Sequence, residues 1–238
     1  MKNLNNNQKI ILDNQAKLVL PKKQQKLTPL LEDFSNTHFL WWWTAIALYL
    51  WHRKSIDFDF FSNWNQWTFY NFKKRIQKYW FDVSKEDNER YFYIQDEEQE
   101  EFHVNINWVK FTTFNYYRTL YNDQKIRIMW KNKILWWLQI ASLEELICMK
   151  LFSIMSRNKF KDAVDIYYIL KNTDEDLKYY LDKSKNFYFK DIIQENACLL
   201  QLISKEWNKT ESVDYIDVNH PSDEIIVNFL HNEASKLL

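Results

Sequence analysis

Glycine is absent from all 238 residues, where average usage would place about 17. Every position therefore carries the Cβ that keeps ordinary residues out of left-handed backbone and away from close backbone–ligand approach. Tryptophan, usually rare, occurs 12 times. Several of these stand where glycine is natural: Trp42 and Trp43 ahead of a helix, Trp51 at its end, Trp64 in a polar loop, Trp130 at a turn, and Trp136-Trp137 between two elements. Some bacterial genetic codes read UGA as glycine and others as tryptophan, so some or all of these tryptophans are expected to be glycine in the cell; the alternative is a chain that truly lost its glycines. Two cysteines, Cys148 and Cys198, are too few for a disulfide framework and suit a reducing, cytoplasmic compartment. Charge of one sign is lacking too. Thirty-two basic residues balance 32 acidic ones, which excludes a global basic field that draws the chain to nucleic acid. The five histidines (His38, His52, His103, His220 and His231) have no metal-ligand spacing. The longest apolar run, Phe39 to Trp51, is too short to span a bilayer, and Lys2 leads into Asn and Gln where a signal peptide would have an apolar core.

What is present centres on His38 to Ser62. Ser55-Ile56-Asp57-Phe58-Asp59-Phe60 alternates polar and apolar residues, the period of a half-buried strand. Asp57 and Asp59 then share one face, roughly 7 Å apart at about 3.3 Å rise per residue, with Ile56, Phe58 and Phe60 opposite. Two readings stand. The pair is an edge strand's solvated carboxylates, or it holds a divalent cation of the magnesium type, which takes oxygen ligands and relieves the like-charge repulsion.

Upstream, a strand near 37–41 and a helix near 44–52 are expected, after a helical lead-in broken at Pro21. Downstream, Phe69, Phe72, Ile76 and Trp80 fall at helical spacing, with Lys73, Lys74, Arg75 and Lys78 on the other face. That face is either solvated or a local patch for nucleotide or RNA phosphates. Tyr91–Ile94, Phe102–Asn107, Val109–Phe114 and Ile126–Ile128 read as strands added antiparallel to the first. No Asp or Glu falls clearly within Val104 to Phe114 to supply a third carboxylate.

From Ser142 the chain reads as helical. Ser142 and Glu145 make a capping box, and Lys150 interrupts the stripe Leu143, Ile147, Ile154. Its stem snorkels, or its ammonium is aimed into a cleft for phosphate. Asp162 and Asp165 are neighbours at i, i+3, away from the Phe160/Val164/Tyr167 stripe, and read as solvated. Further helices are expected in Leu177–Leu181, Phe189–Trp207 and Pro221–Leu237.

The stretch Trp42-Trp43-Thr44, Ala45-Ile46-Ala47-Leu48, His52-Arg53-Lys54-Ser55-Ile56-Asp57-Phe58-Asp59-Phe60-Phe61-Ser62 resembles the signature of the AbiEii/AbiGii-type nucleotidyltransferase toxins, a branch of the polymerase-beta-like nucleotidyltransferases found in type IV toxin–antitoxin systems. Order and spacing agree, with tryptophan at the family's two glycines. Lys150-Leu151, Arg157 and Lys161-Asp162-Ala163-Val164-Asp165 resemble its second block, K-L-x-A-L-x-x-R followed by K-D-x-x-D-L. The likeness covers roughly residues 30 to 172.

The resemblance implies an α+β fold. Residues 1–140 would form a polymerase-beta-like nucleotidyltransferase core, a mixed sheet packed by helices, and 141–238 a C-terminal helical region completing the active site. It implies transfer of a nucleoside monophosphate from an NTP to an acceptor, with RNA (tRNA) favoured, and a cognate antitoxin partner in abortive infection. Asp57 and Asp59 would hold Mg2+, with Lys150 and Asp165 completing the catalytic set and Asp162 a weaker member. Trp42, Trp43, Thr44, Arg53, Ser55 and Arg157 would line the nucleotide site, and Asp165 would orient or deprotonate the acceptor hydroxyl. The alternatives are a same-fold transferase acting on a small molecule or protein, and a non-catalytic binding module if two indoles fill the triphosphate's place.

Overall fold

The computed structural model describes residues 14–34, 38–62, 74–81, 83–85, 101–115, 131–135, 138–187 and 192–238. The chain forms two compact units. The first comprises residues 1–48 and 54–141, the second residues 49–53 and 142–238.

The first unit holds a mixed sheet that, among the described residues, has seven strands. They are β1 (His38–Trp41), β2 (Asp57–Ser62), β3 (Val83–Lys85), β4 (Glu101–Ile106), β5 (Val109–Asn115), β6 (Lys131–Leu135) and β7 (Leu138–Ala141), in the order β3-β4-β5-β2-β1-β7-β6. The strands expected at Tyr91–Ile94 and Ile126–Ile128 lie outside the described residues. One expectation needs correction: the added strands are not all antiparallel. β5 runs parallel to β2 and β7 parallel to β1, whereas β1–β2, β3–β4, β4–β5 and β6–β7 are antiparallel. β5 returns beside β2 only after β3 and β4 have intervened, and a crossover of that length permits parallel pairing.

Alternation along β1 and β2 sorts the side chains onto two faces. His38, Phe58 and Phe60 join Phe111 of β5 and Phe34 of a short helix, α2 (Thr28–Phe34), which follows α1 (Lys22–Gln25). His38 is fully enclosed there, and burial, with Arg75 nearby, pulls it from 6.5 to about 3 against a hydrogen bond involving the Phe34 backbone. The opposite face gathers Phe39, Trp41 and Phe61, with ring centroids 4.6–5.9 Å apart, alongside Asp57 and Asp59. Helix α3 (Trp42–Leu50) begins directly where β1 ends.

The second unit is helical: α4 (Leu143–Ile154), α5 (Phe160–Asn172), α6 (Leu177–Phe187), α7 (Ile192–Ile203) and α8 (Asp223–Ser235). The Ser142 hydroxyl accepts from the Glu145 N–H at 3.1 Å, the expected cap. Both cysteines are free and buried, and burial pushes the Cys148 thiol up to about 12. No described helix is long and apolar enough to cross a membrane.

Five described residues have left-handed φ: Trp51 (47°), Trp80 (57°), Asn107 (49°), Trp108 (64°) and Lys205 (57°). Three are tryptophans. Trp51 follows the last residue of α3, the helix-end position where glycine is enriched. Asn107 and Trp108 form the two-residue turn between β4 and β5, closed by the Ile106–Val109 pair. Positive φ at both central residues is the mark of the hairpin turn that Asn-Gly makes. Trp80 was expected on the apolar stripe of a helix. It ends a turn after a helical stretch at 74–77 and is 94 % exposed.

Candidate active site

Two groups of charged side chains stand out, one in each unit. In the first, β2 carries Asp57 and Asp59 on a single face. Cross-strand partners extend that face: Asp57 lies beside Lys110 and Asp59 beside Thr112 on β5, with Asn105 and His103 of β4 next in the rows. The Thr112 hydroxyl and His103 Nδ1 are hydrogen-bonded at 3.1 Å. On the other side Trp41 of β1, fully buried, pairs with Asp59. Asp59 is buried and Asp57 half-buried, so the face grades from an apolar wall to an open polar edge. Lys110 escaped sequence reasoning because the strand was searched for carboxylates; its parity with Thr112 on an alternating strand was the available signal. Among the described residues, no group of three or more His, Cys, Asp or Glu side chains is placed to hold a metal ion.

The start of β2 is fixed by its own backbone contacts. The Asp57 carbonyl accepts from the Thr44 hydroxyl and from Gln24 Nε2 (3.3 Å). Thr44 Oγ1 lies 2.7 Å from the Ser55 hydroxyl, and the Ser55 N–H donates to Val19. Thr44 and Ser55, expected at the nucleotide site, hold the start of β2 through these contacts. Both are buried and Thr44 spends its hydroxyl proton on the strand. The backbone of Trp42 and Trp43 forms the first turn of α3. Two members of the basic stretch after β2 meet a carboxylate. Arg75 Nε lies 3.2 Å and Lys78 Nζ 3.6 Å from the Asp33 carboxylate, while Lys73 lies outside the described residues.

The second group is an ionic network inside the second unit. Asp165 Oδ1 accepts from His52 Nε2 and Arg53 Nε, both at 2.8 Å. Its Oδ2 accepts from Arg53 Nη2 at 3.0 Å and faces Lys150 Nζ at 2.7 Å. Lys150 also donates to Asp162 Oδ1 at 2.8 Å, and Arg157 Nε lies 3.3 Å from Asp162 Oδ2. Asp162, Asp165, Lys150 and His52 have fully buried side chains; Arg157 is 27 % exposed. The solvated face expected for Asp162 and Asp165 is thus corrected. They lie off the apolar stripe because they meet charged partners, not water. Lys150 does not snorkel, as its ammonium ends on two carboxylates.

Electrostatics follow from this packing. Burial alone would raise Asp165; Arg53, then Lys150, then the His52 hydrogen bond hold it well below the ordinary carboxylate range. Burial pulls Lys150 below an ordinary lysine, with Asp162 and Asp165 opposing. Burial also lowers His52, despite Asp165. A neutral His52 therefore carries its proton on Nε2, where the carboxylate accepts it. Arg53 and Lys150, expected on a triphosphate, both contact Asp165, and Lys150 contacts Asp162 as well. His52, quoted in the signature without a role, is the partner that sequence reasoning missed.

No curated protein matches the chain. The family model described as nucleotidyl transferase AbiEii toxin, type IV TA system, matches residues 44–211, a span running from the start of α3 past the ionic network. An alternating aspartate pair on a central strand of a mixed sheet, followed by a helical unit with a lysine–aspartate pair, is the arrangement on which that match falls. This chain belongs to the AbiEii nucleotidyltransferase toxin family of type IV toxin–antitoxin systems.

Proposed function

We propose that the chain transfers a nucleoside monophosphate from an NTP to an RNA acceptor, with tRNA the favoured substrate, in a magnesium-dependent reaction that a separately encoded antitoxin neutralises. The observation that carries this reading is the Asp57/Asp59 pair on the face of β2 that also bears Lys110 and Thr112. An all-oxygen donor set of two carboxylates suits magnesium, which binds through one or two carboxylates and completes its shell with water and substrate phosphate. A bound ion there would offset charge on the triphosphate and on the leaving pyrophosphate. Asp57 and Asp59 would hold it, with Asp57 fixed through its own carbonyl by Thr44 and Gln24. Lys110 adds a cation to the same face. The N-terminal end of α3 suits an anion through its positive dipole.

RNA as acceptor rests on family likeness. Calorimetry with each NTP, with and without magnesium, tests donor binding. Magnesium-dependent binding that Asp57→Ala abolishes is expected, and binding unaffected by both would sink the reading. Incubation with labelled NTP and total RNA tests the acceptor. Label in protein or small molecules but not RNA would overturn the choice of RNA.

A further inference from the structure

The Asp165 carboxylate has four donors around it, two on each oxygen, and is fully buried. An ionised carboxylate offers about four lone-pair sites, and His52, Arg53 (twice) and Lys150 fill them. A substrate hydroxyl has neither a free lone pair to donate to nor a solvent path to it. Asp165 is also held as a firm anion by two cations, which leaves it too weak a base to take a proton efficiently near neutrality. We propose that Asp165 is a positioning residue for nucleotidyl transfer, acting through His52, Arg53 and Lys150 and never touching the acceptor.

The network gives this proposal a mechanical content. Residues 49–53 are held to the second unit at three points: the His52 ring and the Arg53 fork on Asp165, and the His52 carbonyl, which accepts from the Ile216 N–H at 3.2 Å. The Arg53 backbone also pairs with Tyr215, and the His52 ring lies 4.7 Å from that of Tyr168. Asp57 follows Arg53 by four residues. A bidentate Arg–carboxylate fork fixes orientation as well as distance, so Asp165 fixes the Arg53 end of the short chain segment that leads to the aspartate pair. This inference rests on the transferase reading above.

The test is the pH–rate profile of labelled NTP transfer to total RNA, using the full chain with magnesium. For Asp165→Asn, a drop in kcat of roughly 100-fold is expected, as for a mispositioned site, with the acidic limb of the profile kept. Combining it with Arg53→Gln should cost no further activity, because residues acting as one unit are non-additive. Should Asp165→Asn fail to fold, His52→Gln asks the same question. A lower kcat with the acidic limb unmoved supports positioning. A limb that Asp165→Asn erases, or that His52→Gln moves to higher pH, makes Asp165 the proton acceptor and overturns the proposal. A wild-type chain that transfers nothing removes the transferase reading, and this inference with it.

A second inference stands on backbone geometry alone. Trp51, Trp80 and Trp108 occupy left-handed positions at a helix end, after a helical stretch and in a two-residue hairpin, all sites that glycine serves. At 94 % and 79 % exposure, Trp80 and Trp108 give little packing in return for an unfavourable φ. We infer that these three positions are glycine in the functional protein, encoded by a recoded UGA. The source codons decide it: UGA at all three is expected, and UGG at any of them overturns it. Melting adds an independent check. Trp108→Gly should raise the midpoint and Trp108→Ala should not, since alanine keeps the Cβ; an equal rise in both would show that the turn does not demand glycine.

Discussion

At the scale of single residues, burial decides the chemistry. Lys150 sits between Asp162 and Asp165 with no exposed surface. Removing one member of such a group strands the others, so Lys150→Met is expected to destabilise the fold by about 3–5 kcal/mol, read as a shift in urea unfolding. A loss under 1 kcal/mol would mean water reaches the carboxylates. His38 makes a pH prediction. Its folded pKa of about 3 lies below the ordinary 6.5, so the unfolded chain takes a proton the folded one refuses. Stability is whole above pH 6.5 and drains as pH falls toward 3, by up to about 1.4 kcal/mol per pH unit. His52, lowered in the same direction, adds to the slope. Asp165, depressed below the carboxylate range, adds only as pH falls below about 3.8. Urea midpoints measured between pH 7.5 and 5 check the histidine part, and His38→Phe should flatten it. Left-handed tryptophan belongs at this scale too. The penalty is roughly 1–2 kcal/mol per residue, the gain expected for Trp108→Gly.

Elements were legible in the sequence where one physical cause dominated. β2 declared itself because Asp57, Phe58, Asp59 and Phe60 alternate and each face has one character. The start of α4 declared itself through Ser142 and Glu145; Ser142→Ala should cost about 1 kcal/mol, measured by thermal melting. The break between β4 and β5 at Trp108 was legible, but the type of turn was hidden, because Asn107-Trp108 lacks the glycine by which such hairpins are recognised. Asp162 and Asp165 were misread for a different reason. Helical spacing says which side of α5 they occupy, but not what faces them: Asp162 meets Lys150 and Arg157, and the Asp165 partners His52 and Arg53 are more than 100 residues away in the chain, where periodicity carries no information. The contacts of Thr44 and Ser55 were not legible either: a hydroxyl beside a helix start suits a phosphate and a neighbouring backbone carbonyl equally well.

For the whole molecule, the informative fact is that the second unit is discontinuous. It borrows residues 49–53 from within the sheet-bearing part of the chain, and these supply three of the four donors to Asp165. Residues 142–238 expressed alone would bury that carboxylate against Lys150 with no other donor. The fragment is therefore expected to lack a cooperative thermal transition, whereas the full chain has one; a sharp transition in the fragment, at the full chain's midpoint, would refute this. The overall α+β plan was readable from sequence because the strand-rich and helix-rich stretches follow one another. The return of residues 49–53 was not, since nothing in their composition marks them as belonging elsewhere.

The interlocked side chains around Asp165 also constrain descent. A lineage that swaps Arg53 alone, or Lys150 alone, passes through an ancestor with a stranded interior charge, so neutral drift one substitution at a time is closed to it. Related chains should therefore inherit these residues as a block or exchange them for an apolar set together, and intermediate combinations should be rare among living homologues.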